Sequence, residues 1–207
     1  GDADLVNYLN AQGPIDVDLE RGQVIKTNGL DTLLNIENLI GSNFKDNIVG
    51  NSLNNVIYST DGSDYLDGAL GNDTIHFGLS TVGVNANLSL NLAVKGNVFE
   101  AIHNFENIVG SNYSDVFSGT DGNNTIDAGS GNDVIYGSQG SDILLGGKGN
   151  DTLDYSGLAS AFDINLTTQQ VAKGSLGNDT ISDFENVVTS YLNDVIRGSS
   201  ASNIISS

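Results

Sequence analysis

The sequence predicts an all-β chain: a parallel β-roll, or β-solenoid, of nonapeptide units interrupted by three longer strand-containing inserts. Three observations predict it. An acidic or amide residue recurs every nine residues, a large aliphatic residue follows it by two places, and glycine often precedes it by two. The stretch GSGNDVIYGSQGSDILLGGKGNDTLDY, residues 129–155, shows all three, with Asp133, Asp142 and Asp151 on the beat, Ile135, Leu144 and Leu153 after them, and Gly131, Gly140 and Gly149 before them. A lone apolar residue every nine cannot line one face of a helix. The period suits a strand of about three residues followed by a turn of about six, with the aliphatic side chain inward and its two neighbours outward.

With the beat numbered position six, it is filled by Asp46, Asn55, Asp64 and Asp73, by Asp115, Asn124, Asp133, Asp142 and Asp151, and by Asp194 and Asn203. Position eight is always large and apolar, from Ile48 to Ile205. Position four is glycine at 62, 71, 122, 131, 140 and 149, and Phe44, Leu53, Tyr113, Leu192 or Ala201 elsewhere. One beat upstream of each block stands a glutamate, Glu37, Glu106 or Glu185. Glycine in such turns permits positive φ and close backbone approach. Asn at position five tolerates left-handed geometry.

A larger period overlies the small one. DLVNY, DTIHF and DTLDY open three inserts, and each insert carries one alternating strand, IDVDL at 15–19, VNANL at 84–88 and FDINL at 162–166. Each insert closes on Asp31, Glu100 or Asp179, six residues before its glutamate. The chain reads as one continuous solenoid over 1–207, with large units of roughly 4–72, 73–150 and 151–207. The third unit is truncated, and the opening GDADLVNY is already mid-pattern, which is expected of a piece of a longer array.

Two nonamers make one coil, so turns on one edge recur every eighteen residues. Asp46 then stacks near Asp64, Asp115 near Asp133, and Asp133 near Asp151, while Asn55 meets Asp73 and Asn124 meets Asp142. Coils stack at about 4.8 Å, a spacing at which bare carboxylates repel. The formal charge is −19, from Asp+Glu 26 against Lys+Arg 7. Such an excess of acid repels nucleic acid and anionic membranes and attracts cations. Ca²⁺ fits carboxylates and backbone carbonyls in flexible geometry, whereas Mg²⁺ demands a tighter octahedron and zinc wants His or Cys. Cys is absent, which excludes disulfides and thiol chemistry. No apolar run approaches membrane-spanning length, and no signal peptide is visible.

GGKGNDTLD, AGSGNDVIY and GSQGSDILL resemble the repeats-in-toxin nonamer, the haemolysin-type calcium-binding repeat, G-G-x-G-x-D-x-(large apolar)-x. The resemblance covers a little over half the chain and recurs in phase. It implies a parallel β-roll with Ca²⁺ held between turns of adjacent coils. The residues it marks as the metal set are Asp46, Asp64, Asp73, Asp115, Asp133, Asp142, Asp151 and Asp194, with turn carbonyls at Gly62, Gly71, Gly122, Gly131, Gly140 and Gly149. It also implies type I export from a Gram-negative or cyanobacterial cell and folding outside, at the cell surface or in the medium. The three-insert layout looks like very large secreted bacterial proteins.

The three glutamates are expected to make hydrogen bonds to backbone or to the Asn one coil away. His76 faces outward from position nine. Tyr8, Phe77 and Tyr155 are aromatic plugs at the insert junctions. Lys and Arg are scattered singly at 21, 26, 45, 95, 148, 173 and 197, with no basic cluster to hold an acidic sugar. Position three is not a threonine array, so it offers no ice-binding face. The expected function is a calcium-dependent structural segment without enzymatic activity: a spacer, adhesin stalk or surface-layer component. Its expected partners are calcium ions, and neighbouring solenoid segments end to end or surface polysaccharide, but neither nucleic acid nor membrane. The competing expectation is a calcium-stabilised carbohydrate-active module, or the secretion and folding tail of an extracellular enzyme.

Overall fold

The structure is a computed structural model and describes residues 4–207; residues 1–3 of the predicted solenoid lie outside the described residues. It is a parallel β-solenoid with two long sheets, one of eleven strands and one of thirteen, joined by the turns. Successive nonamers alternate between the sheets. Strands eighteen residues apart therefore pair in register, as Val134–Tyr136 pairs with Thr152–Asp154 (Ile135 opposite Leu153) and Thr125–Asp127 pairs with Ile143–Leu145 (Ile126 opposite Leu144). A third sheet of two short strands, Ser130–Gly131 and Lys148–Gly149, stacks successive turns.

The core is a pair of position-eight ladders. One runs Leu39, Ile57, Ile75, Ile108, Ile126, Leu144 and Ile181, and the other Ile48, Leu66, Ile102, Phe117, Ile135, Leu153 and Val187, all buried. Each rung contributes on the order of 1.5–3 kcal/mol, and no coil buries its rung alone, so stability comes from stacking. Position-five side chains form a further ladder. The amide oxygens of Asn54, Asn123 and Asn132 accept the backbone N–H of Asn72, Ser141 and Asn150 one coil later, at 2.8–3.0 Å.

The inserts depart from the expectation of one strand each. Each is a three-stranded antiparallel meander. The second consists of Val84–Asn87, Leu92–Lys95 and Val98–His103. Its first strand pairs in parallel with the following block and its last with the preceding block, so the meander is spliced into the sheet. The third repeats this with Asp163–Asn165, Gln170–Ala172 and Asn178–Ser182, and the first with Ile15–Asp18, Gln23–Lys26 and Gly29–Thr32. The reversals are made by left-handed residues, Gly22, Asn91 and Gln169. No Asn-Gly or Gly-Asn pair marks that first reversal, but Asn28-Gly29 and Gly96-Asn97 do stand at the turn between the second and third strands of the first two inserts, a hairpin signal that the expectation of one strand passed over.

Candidate metal centre

Turns on each edge of the solenoid stack into columns, and the position-six side chains run down them. One column is Asp4, Glu37, Asn55, Asp73, Glu106, Asn124, Asp142, Asp179; the other contains Asp46, Asp64, Glu100 and then Asp115, Asp133, Asp151, Glu185, Asn203. The column contacts are explicit. Asp64, Asp73, Asp133, Asp142 and Asp151 each use Oδ1 to accept the backbone N–H of the position-six residue one coil earlier, at 2.7–3.0 Å.

The turns divide into two kinds. In five open turns position four is a glycine with positive φ, Gly62 (123°), Gly71 (147°), Gly131 (152°), Gly140 (95°) and Gly149 (149°). In the closed turns position two is Ser, Thr or Asn, and its side chain accepts the N–H of position four, as Ser42 does from Phe44, Asn51 from Leu53, Ser111 from Tyr113 and Thr120 from Gly122. The position-six oxygen then accepts the N–H of position two, from Ser42 to Asp46, Asn51 to Asn55, Ser111 to Asp115, Thr120 to Asn124 and Ser199 to Asn203, at 2.6–2.8 Å. Gly122 therefore has the geometry of a closed turn and lacks positive φ despite being glycine. A polar side chain at position two supplies the acceptor that closes the turn, but it does not suffice: Thr60 and Ser138 stand at position two of open turns, where their hydroxyls donate to the Ser42 carbonyl and to Asp142 Oδ2.

The second carboxylate oxygen separates the aspartates further. The Oδ2 atoms of Asp64, Asp73, Asp133 and Asp151 are buried with no hydrogen-bond partner, and Asp194 Oδ2 shares this state. Asp46 and Asp115 are different. Their oxygens are bonded to Ser42 and Ser111 and to the N–H of Ile15 and Val84, the first residues of the insert strands. Asp194 receives the N–H of Phe162 in the same way on Oδ1. These three aspartates brace the insert that precedes them.

In the turns of Asp64, Asp73 and Asp133 the position-four glycine lies against both the carboxylate and a backbone carbonyl of the coil before. A Cβ added to Gly62 would lie 2.5 Å from the Phe44 carbonyl oxygen and 2.6 Å from Asp64 Oδ1; at Gly131 it would lie 2.6 Å from both the Tyr113 carbonyl oxygen and Asp133 Oδ1. Glycine at position four thus brings carbonyl and carboxylate together. Burial pushes the carboxyl of Asp64 up to about 7, and those of Asp73 and Asp133 up to about 6. Asp151 is raised for the same reason, with Glu185 and Asp183 adding like charge. Buried carboxylates without partners carry a large desolvation cost unless a cation compensates. Among the described residues, no three His, Cys, Asp or Glu side chains gather into a metal cluster. The donors are instead one carboxylate edge plus main-chain oxygens, an oxygen-only set that fits Ca²⁺.

The glutamates reach the same column by another route. Oε2 of Glu37, Glu106 and Glu185 accepts the N–H of Asp4, Asp73 and Asp151, at 2.8–3.0 Å, and the Asn one coil later donates its Nδ2 to the glutamate's carbonyl, at 2.7–3.2 Å. A left-handed residue, Asn35, Asn104 or Asp183, stands two places before each glutamate and bends the chain, and the longer side chain spans the resulting gap. Tyr8 and Tyr155 pack at the junctions as expected and also donate their hydroxyls to Asp31 and Asp179. Phe77 is buried against Phe117, and His76 stacks on Tyr58 at 4.3 Å.

A coil of two nonamers, stacked carboxylates and oxygen-only gaps define a calcium-binding β-solenoid. Residues 40–75, 109–144 and 118–153 match a family model spanning four copies of the RTX calcium-binding nonapeptide repeat, and these segments are RTX repeats, which bind Ca²⁺. A comparison with curated proteins found no match. Among the described residues no helix is long and apolar enough to cross a membrane.

Proposed function

We propose that this chain is a calcium-dependent structural segment of a secreted or cell-surface bacterial protein, a spacer or stalk that becomes rigid on binding Ca²⁺. The observation that carries the reading is the set of buried, unpartnered Oδ2 atoms at Asp64, Asp73, Asp133 and Asp151. Each would hold one ion together with main-chain oxygens of its open turn and of the coil before it. Asp194 offers a further, more exposed position. Asp46 and Asp115, whose oxygens are already engaged, brace the inserts instead, and the Asn turns close without an ion. Bound Ca²⁺ supplies the positive charge that neutralises stacked carboxylates and ties adjacent coils together.

The secreted location and type I export rest on what is typical of RTX repeat proteins, and the continuous column over the whole chain supports an elongated role. The acidic residues lie on structural beats and make structural hydrogen bonds, which favours a scaffold over a catalyst. Circular dichroism during titration with Ca²⁺ and, separately, Mg²⁺ tests the reading: β structure should grow with the first and far less with the second. A screen on alginate and pectin-like polymers supplies the counter-test, since turnover by the loaded chain would contradict a purely structural role.

A further inference from the structure

Lys26, Lys95 and Lys173 stand at similar places in the three meanders: Lys26 and Lys95 end the middle strand opposite Ile15 and Val84, and Lys173 directly follows the middle strand Gln170–Ala172. Two of them are buried in the acidic columns. Lys173 Nζ, fully buried, donates to the Ser138 carbonyl at 2.8 Å and to Asp142 Oδ2 at 3.3 Å, and pairs with Asp179 Oδ1 at 2.5 Å. Lys95 Nζ donates to Ser59 Oγ at 2.7 Å and to the Thr60 carbonyl, and pairs with Glu100 Oε1 at 2.6 Å.

Every partner in both sets is oxygen: both share a position-two carbonyl of one coil and a carboxylate at the position-six place of the next, to which Lys95 adds the Ser59 hydroxyl and Lys173 adds Asp142. Asp142 is the decisive case. Of the five open turns, four leave Oδ2 of the aspartate without a partner; in the fifth, Oδ2 accepts from the Ser138 hydroxyl at 3.1 Å and from the Lys173 ammonium at 3.3 Å. Asp142 has the positive-φ Gly140 of the other open turns, so the backbone of the turn is built alike, and what sets it apart is the ammonium and the Ser138 hydroxyl on Oδ2. At the first meander, whose last strand is an edge of the sheet among the described residues, Lys26 makes the same kind of pair with Asp31 at 2.7 Å and stays partly exposed.

We propose that Lys173 and Lys95 are tethered counter-ions occupying positions that would otherwise take Ca²⁺, so that each meander joins its preceding coil without a metal ion. The inference rests on the calcium reading of the open turns. It makes the meanders calcium-independent joints within a calcium-dependent column, and it makes each lysine position a latent metal site. A methionine there keeps the aliphatic stem and removes the charge, leaving Asp142 and Asp179, or Glu100 beside Asp64, facing an oxygen-lined space.

The test is equilibrium dialysis with metal analysis at saturating Ca²⁺, on the whole chain, for the wild type, Lys173→Met, Lys95→Met and Lys173→Arg, with circular dichroism as the check on folding. Each methionine variant should bind one more Ca²⁺ than the wild type and should need Ca²⁺ to order its meander. Lys173→Arg should keep the wild-type stoichiometry. A folded Lys173→Met with unchanged stoichiometry overturns the inference. So does a Lys173→Met that no concentration of Ca²⁺ can fold, because the ion is expected to replace the ammonium. A wild type that takes up no Ca²⁺ overturns the reading of the aspartate turns, and the inference with it, whereas equal uptake by wild type and variants overturns the inference alone.

Discussion

At the scale of single residues, two aspartates on the same beat are set to do different work. Asp133 has one oxygen on the Asp115 N–H and one without a partner, whereas Asp46 has both oxygens bonded to Ser42 and Ile15. Asp133→Asn should raise the calcium midpoint several-fold. Asp46→Ala should instead lower stability at saturating Ca²⁺ by about 1–3 kcal/mol, by stranding buried donors, without changing the number of ions bound. Calcium titration and urea unfolding of both variants separate the two effects. The same carboxylates predict a pH response. Folding without metal raises their proton affinity, most at Asp64, up to about 7 from an ordinary 3.8. That stabilisation is complete below the unfolded value near 4, and it is lost as pH rises through 6–7. In chelator, β structure should therefore increase as pH falls from 7 towards 4.5, and with Ca²⁺ the midpoint should be higher at pH 6 than at pH 8. Absence of both trends in pH-resolved dichroism would contradict the burial of these groups. The beat itself was legible in the sequence because it repeats in phase. The partition of its aspartates was not, because no single position decides it: Ser42 and Ser111 at position two close their turns, whereas Thr60 and Ser138 at the same position stand in open ones.

At the scale of the turn, glycine is required where coils touch. A Cβ at Gly149, with φ of 149°, would fall 1.4 Å from the Gly131 carbonyl oxygen, while one at Gly157 meets nothing within 4 Å. Gly149→Ala should prevent normal stacking of the last two coils of its block. Gly157→Ala should change stability by no more than about 0.5 kcal/mol, and thermal melts in Ca²⁺ compare them. Ala69 occupies position two of the Asp73 turn with φ of 72°, where Gly129 and Gly147 have 92° and 90°. An L-residue pays about 1–2 kcal/mol for that conformation, so Ala69→Gly should stabilise the loaded chain by up to about 1 kcal/mol. The meanders show where the sequence was hardest to read. Their first strands alternate cleanly, but Gln23–Lys26 and Gln170–Ala172 are short and carry one buried apolar residue each. Lys26, Lys95 and Lys173 looked scattered because a residue spacing reveals nothing about antiparallel strands that fold back across a column. Their recurrence five or six places before Asp31, Glu100 and Asp179 was the available signal.

At the scale of the whole molecule, one repeated core is joined to one repeated charge problem. The position-eight ladders supply the attraction, and any interior rung should matter; Ile135→Ala should cost about 2–5 kcal/mol. Against that stands a formal charge of −19, with half of the 26 acidic residues in the two columns. Ions between coils neutralise the columns where aspartate oxygens lack partners, and lysines do so at the meanders. Folding and calcium binding are then one linked process, since the gaps exist only between stacked coils. The most direct measurement is far-UV circular dichroism of the chain in excess chelator at neutral pH, followed by titration with Ca²⁺. The account predicts a largely disordered spectrum that converts cooperatively to a β spectrum as Ca²⁺ is added; a full β spectrum in chelator, unchanged by Ca²⁺, would contradict it.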